Sequence, residues 1–146
     1  MSKFIFSLEN ALKYRVSLEE HEAGLLARAI QNVQIEEEES NKLNIEKQNY
    51  LNSYSYKKIN LTTMQQQEAY LSLLDLRITT QVKKLEQAVM TFKNQRERVV
   101  KASIKRNTLE RLKEKYLKEH QLLDSKAEQK ILDDIGIAAY CHRADN

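Results

Sequence analysis

Three histidines, one cysteine and a scatter of carboxylates are the side chains with which this 146-residue chain could do chemistry. His21 precedes Glu22 but has no second histidine four residues on, so the helical zinc spacing of a metalloprotease is missing. His120 stands far from both His21 and His142, and Cys141 is adjacent to His142 instead of being spaced for chelation. With only Gly24 and Gly136 present, no glycine-rich loop can cradle a phosphate. The sequence therefore assigns no catalytic residue, no cofactor and no metal, and points to a non-enzymatic protein that works by binding other proteins.

What must position the binding residues is legible in composition and period. The chain has no Pro, two Gly and 31% charged residues, where a compact domain carries roughly 7% Gly and 5% Pro to turn its chain. Its apolar fraction of 41% is too high for a disordered tail and is spread along the whole length. On the first half, Leu12, Val16, Ala23, Leu26, Ile30 and Val33 follow heptad spacing with Glu19 at a skipped position. On the second half, Leu71, Leu74, Ile78, Gln81, Leu85, Ala88, Phe92, Gln95, Val99 and Ala102 alternate three and four. Only the two glutamines break that stripe, either fixing register at some cost in stability or tolerated in a loose, wet seam.

These stripes predict an all-α protein, a long two-helix antiparallel coiled-coil hairpin with helix 2 longer than helix 1. The expected layout is a single domain over 1–146: helix 1 about 7–52, a turn about 53–63, helix 2 about 64–138 and a tail 139–146. Thr63 and Gln66 have the spacing of a capping box at the start of helix 2. Ser7 is expected to start helix 1, with Phe6 and Ala11 stapled across it. If the chain reverses near residue 60, the acids Glu36 to Glu39 lie opposite positions 81–84, where Lys83 and Lys84 stand. That agreement supports the alignment, since exposed pairs contribute only ~0–1 kcal/mol each and the acids could equally be a solvated face.

The same register leaves helix 2 unpaired beyond about residue 113, while Tyr116, Leu123, Ala127, Ile131 and Ile135 continue an apolar stripe. An isolated helix with an uncovered stripe is marginal, so this one folds back, self-associates or enters a partner, and a partner is the favoured reading. From Lys93 to Lys118 ten basic residues face Glu97, Glu110 and Glu114, a net of +7. That stretch has few aromatic residues for base stacking, so an acidic protein surface or plain solvation is a better reading than nucleic acid. Near the reversal, Tyr50 and Tyr54 share a helical face and Tyr50 falls opposite Tyr70, an aromatic cluster that either packs the hairpin or meets a partner. No apolar run approaches the ~20 residues that span a bilayer, the first residues lack a signal-peptide core, and a single cysteine fits a reducing, cytoplasmic setting.

The order of Phe4-x-Phe6-x-Leu8, Leu12-x-x-Arg15, Tyr50-x-x-x-Tyr54, Gln67-x-x-Tyr70-Leu71-x-x-Leu74, Arg106-x-x-x-x-Arg111 and Glu128-x-x-x-x-Asp133-Asp134 resembles the FliJ family over nearly the whole chain. These are flagellar export proteins of bacterial type III secretion. The resemblance implies a coiled coil similar to the central stalk of rotary ATPases, whose terminal end enters the hexameric ring of the flagellar export ATPase. Carried over, that contact comprises Phe4, Phe6, Leu12, Arg15, Leu123, Ala127, Ile131, Asp133, Asp134 and Ile135. It further implies contact with the membrane protein of the export gate through Tyr50, Tyr54, Tyr70 and Leu74, and escort of export chaperones. The implied location is cytoplasmic and peripheral at the inner face of the membrane, held there by partners without membrane insertion. Lys47, where an apolar residue is common in the family, and Arg77, where a small one is, depart from its pattern on the gate surface. The alternative reading is a generic coiled-coil adaptor or a self-associating rod of another assembly.

Overall fold

The computed structural model describes residues 2–54 and 60–145, Tyr54 in its backbone alone. Two helices make up the described fold, α1 (Glu9–Tyr54) and α2 (Leu61–Ala144), the second nearly twice as long as the first. They pack against each other as an antiparallel pair, the expected all-α hairpin topology. The middle of the expected turn, 55–59, lies outside the described residues. The chain divides into two compact units, the first comprising Met1–Glu19 and Ala102–Asn146 and the second Glu20–Lys101.

The second unit is built on a seam whose period is stricter than its hydrophobicity. Along α2, Leu74, Ile78, Gln81, Leu85, Ala88, Phe92, Gln95 and Val99 all turn inward, Leu74 with 0% exposure. Along α1 the inward positions are Glu22, Leu26, Ala29, Val33, Glu36, Ser40, Leu43, Lys47 and Tyr50, again spaced three and four. Ala23 and Ile30, expected on the seam, are exposed, one residue along from the true inward positions Glu22 and Ala29. The physical reason is that a coiled coil buries the positions its supercoil brings inward, whatever stands there. Glu22 is kept on the seam by Gln95, whose Nε2 donates to the Glu22 backbone carbonyl at 3.0 Å and to its carboxylate. Gln81 repeats the arrangement two heptads away on Glu36. The Gln81–Glu36 contact shifts the expected register by about three residues, so that Glu36 to Glu39 face 78–81 instead of 81–84, and Lys83 and Lys84 form no ion pair with the run among the described residues.

The first unit pairs the start of α1 with the later part of α2. Glu19 binds Arg106, and Glu9 meets Lys113 at 2.8 Å. Helix α1 begins at Glu9 with a turn before it, the Glu9 N–H donating to the Phe6 carbonyl at 3.1 Å, so Ser7 does not cap it. Phe6 is buried against the edge of Tyr116, at 6.1 Å between ring centroids, and Ala11 is exposed, so the expected staple is absent. The non-helical residues ahead of α1 run on along α2: Phe4 lies on His120 and the Ser2 hydroxyl donates to Asp124 at 2.8 Å. Helix α2 is thereby covered from Lys113 on to Asp124, about one and a half heptads further than the end of α1 alone would allow.

The ends of α2 depart from the sequence reading for local reasons. Asn60 is its N-cap, with the side-chain oxygen accepting from the Thr63 N–H at 2.9 Å and from the Thr63 hydroxyl at 2.6 Å. Thr63 is thus the third helical residue instead of the cap. At the other end α2 passes through Gly136, whose φ is not positive, and continues to Ala144.

Candidate partner-binding surfaces

The first candidate surface lies in the second unit, where Tyr50 and Tyr70 meet across the helices at 4.5 Å and an interplanar angle of 54°. The Tyr70 hydroxyl donates to Glu46 Oε1 at 2.6 Å. That hydrogen bond, with the neighbouring negative charge, holds the phenol above the usual tyrosine range. Lys47 occupies a seam position and reaches Asp75 at 2.5 Å, so the ion pair accounts for a lysine on the seam. Tyr50 and Tyr70 are half-buried, so each offers an edge to a partner. Leu74 offers none: it is fully buried and lies on the seam. Arg77 is exposed, and the Tyr54 side chain lies outside the described residues.

The second candidate surface lies in the first unit and separates into buried and exposed members. Phe6 and Leu12 are buried in the fold, and Phe4 is half-buried on His120 at 5.5 Å. Phe4 and Phe6 anchor the segment before α1, and a partner could reach Phe6 only by displacing that segment. Arg15 is half-buried, with its guanidinium 5.8 Å from the Tyr14 ring centroid. Leu123, Ala127, Ile131, Asp133, Asp134 and Ile135 are all exposed.

Every residue from Ser125 to Asp145 is exposed, so α2 continues unpaired for roughly 30 Å at 1.5 Å per residue. Its apolar surface is wider than a single stripe, because Leu132, Ile137 and Tyr140 are also uncovered, Tyr140 at 76% exposure. Sequence reasoning missed Ile137 by reading a single stripe that stopped at Ile135, and Tyr140 by ending the helix near 138. The available signal was the unbroken helix-forming run Ile137-Ala138-Ala139-Tyr140, which a single glycine does not interrupt.

Charge on this unit is partly neutralised across the helices. Arg106 bonds to both Glu19 and Glu110, the Glu19 bond being the larger cause of a guanidinium pKa above the ordinary arginine value. Among the described residues no group of three His, Cys, Asp or Glu side chains is arranged to hold a metal. His120 instead contacts the Ser2 carbonyl at 3.1 Å and Asp124 at 3.4 Å. No helix among the described residues is long and apolar enough to cross a membrane.

Two antiparallel helices, a tyrosine layer and an uncovered end of α2 are the features that bear on binding. Compared with protein families, residues 4–145 match the family described as Flagellar FliJ protein. The chain belongs to the FliJ family. No curated protein and no solved structure matches it. FliJ membership makes it a component associated with flagellar protein export, in a family whose members are structural parts of the export apparatus and not enzymes. The match spans both units, so both candidate surfaces lie inside the FliJ region.

Proposed function

We propose that this FliJ-family protein is a stalk-like helical coupler of flagellar type III export. Its first unit seats the uncovered end of α2 in the ring of the hexameric export ATPase. The tyrosine layer of the second unit engages the membrane protein of the export gate. Nucleotide hydrolysis is then linked to gate opening through helices that do no chemistry themselves, and export chaperones are escorted to the gate by the same molecule. In this reading the protein works in the cytoplasm, held at the inner face of the membrane through its partners.

The observation that carries the reading is the uncovered run Ser125–Asp145, with Ile131, Leu132, Ile135, Ile137 and Tyr140 all exposed on continuous helix. Apolar area leaves water at roughly 25 cal/mol per Å², and nothing among the described residues supplies that burial here. An enclosing partner such as a ring lumen does. Asp133 and Asp134 on the same segment give it polar contacts that fix orientation.

The test is a pull-down of the export ATPase with the full chain and with a chain ending at Asp124. Loss of binding on truncation supports the reading, and retained binding rejects it. For the gate contact, Tyr50→Ala with Tyr70→Ala is expected to weaken binding to the gate's membrane protein while ATPase binding persists. Equal loss at both partners would instead mean that the fold had failed.

A further inference from the structure

Helix α2 carries a second line of positions spaced three and four, outside the seam. In the second unit this line passes through Val82, Glu86, Val89 and Lys93, and in the first unit through Glu128, Ile131, Ile135 and Ala138. Apart from the half-buried Val89, these residues are exposed. Lys93 and Glu128 have no ion-pair partner among the described residues. The two segments are complementary when set antiparallel with Val89 opposite Ile131. Val82 then meets Ala138, and Lys93 meets Glu128. Glu86 falls beside Ile135 and Asp134, the one unfavourable layer of this register, where its aliphatic stem covers Ile135. Set parallel about the same Val89–Ile131 contact, the segments bring Glu86 against Glu128 and leave Lys93 against Ile135 with no acid, so only the antiparallel setting pairs Lys93 with Glu128.

We propose that the Val82–Lys93 face of α2 is a docking site for the Glu128–Ala138 segment of a second copy of this chain, bound antiparallel. The occupant is argued from charge and period: one surface supplies a cation, unpaired among the described residues, four residues beyond Val89, and the other an acid three residues before Ile131, one layer along the same heptad pattern. The inference goes beyond the coupling function, because a second copy and an ATPase ring compete for the same Ile131. Self-association then stores the uncovered end of α2 until the ring displaces it.

The experiment is sedimentation equilibrium of the full chain over a range of concentrations, with circular dichroism as a control for folding. Wild type is expected to show mass rising reversibly above the monomer. Lys93→Glu alone and Glu128→Lys alone should each weaken association several-fold, and combining them should restore it, because the ion pair is rebuilt with its sign reversed. A monomer throughout overturns the proposal. So does association that both single variants leave unchanged, or a combined variant no tighter than either single one. A chain that is monomeric yet binds the ATPase also rejects the second copy as occupant.

Discussion

Gln81 and Gln95 sit buried on the seam of α2 and make the same two contacts on Glu36 and Glu22, two heptads apart. A polar layer that is fully bonded is costly to break and cheap to replace wholesale. Gln95→Ala should therefore lower stability by about 1–2 kcal/mol, through lost contacts and a cavity. The double variant Gln95→Leu with Glu22→Leu should be at least as stable as wild type in urea titration. If the double variant were the less stable of the two, the layer would be doing more than fixing register. The α2 stripe was legible in the sequence because apolar residues bracket both glutamines at regular spacing. The α1 stripe was not, because Glu22 and Glu36 read as solvated acids and Ala23 and Ile30 drew the line one residue aside. Only the cross-helix partner shows which residue is inside. Tyr70 gives a pH-dependent counterpart. Its folded pKa is raised, chiefly by the bond to Glu46, so the fold prefers the neutral phenol. The stability from this contact is present below about pH 10 and is lost as pH rises through the folded value. An ultraviolet titration of phenolate formation should show one late-titrating tyrosine that disappears in Tyr70→Phe.

The helices themselves were the most readable feature, because a chain without proline and with heptad spacing over both halves has few alternatives. Their ends were the least readable. Several Ser, Thr and Asn residues near 60 could each cap a helix, and the choice fell on Asn60 because its side chain takes both Thr63 donors. Asn60→Ala should cost about 1 kcal/mol, seen as faster amide exchange in the first turn of α2, whereas Gln66→Ala should change little. Gly136 is the complementary case. A methyl group there meets nothing within 4 Å, and the backbone is already helical. Gly136→Ala should raise the local helix stability by about 1 kcal/mol, read as slower exchange of the amides around Ile137. A helix stop at Gly136 in solution would give no such gain.

Coverage along α2 is set by how far the chain ahead of α1 reaches, and that reach was not legible in the sequence. Phe4 and Phe6 are apolar residues ahead of α1, but no local rule says that the residues before a helix will lie along its partner. In the structure they do, through Phe6 on Tyr116, Phe4 on His120 and Ser2 on Asp124. The boundary between paired and unpaired helix therefore falls at Asp124. This gives a prediction with two readouts. A chain ending at Asp124 loses no cross-helix contact, since residues 125–145 are exposed throughout. Its thermal midpoint should stay within a few degrees of wild type, because only marginal, self-supporting helix has been removed. A chain ending at Lys118 also loses the His120 and Asp124 contacts that hold Ser2 and Phe4, and its midpoint should fall measurably further. If the cut at Asp124 were as destabilising as the cut at Lys118, the last stretch of α2 would be packed in solution, and its availability to a ring or to a second copy would have to be abandoned. If only the deeper cut destabilises, loss of ATPase binding by the shorter deletion measures a missing contact and not a damaged fold.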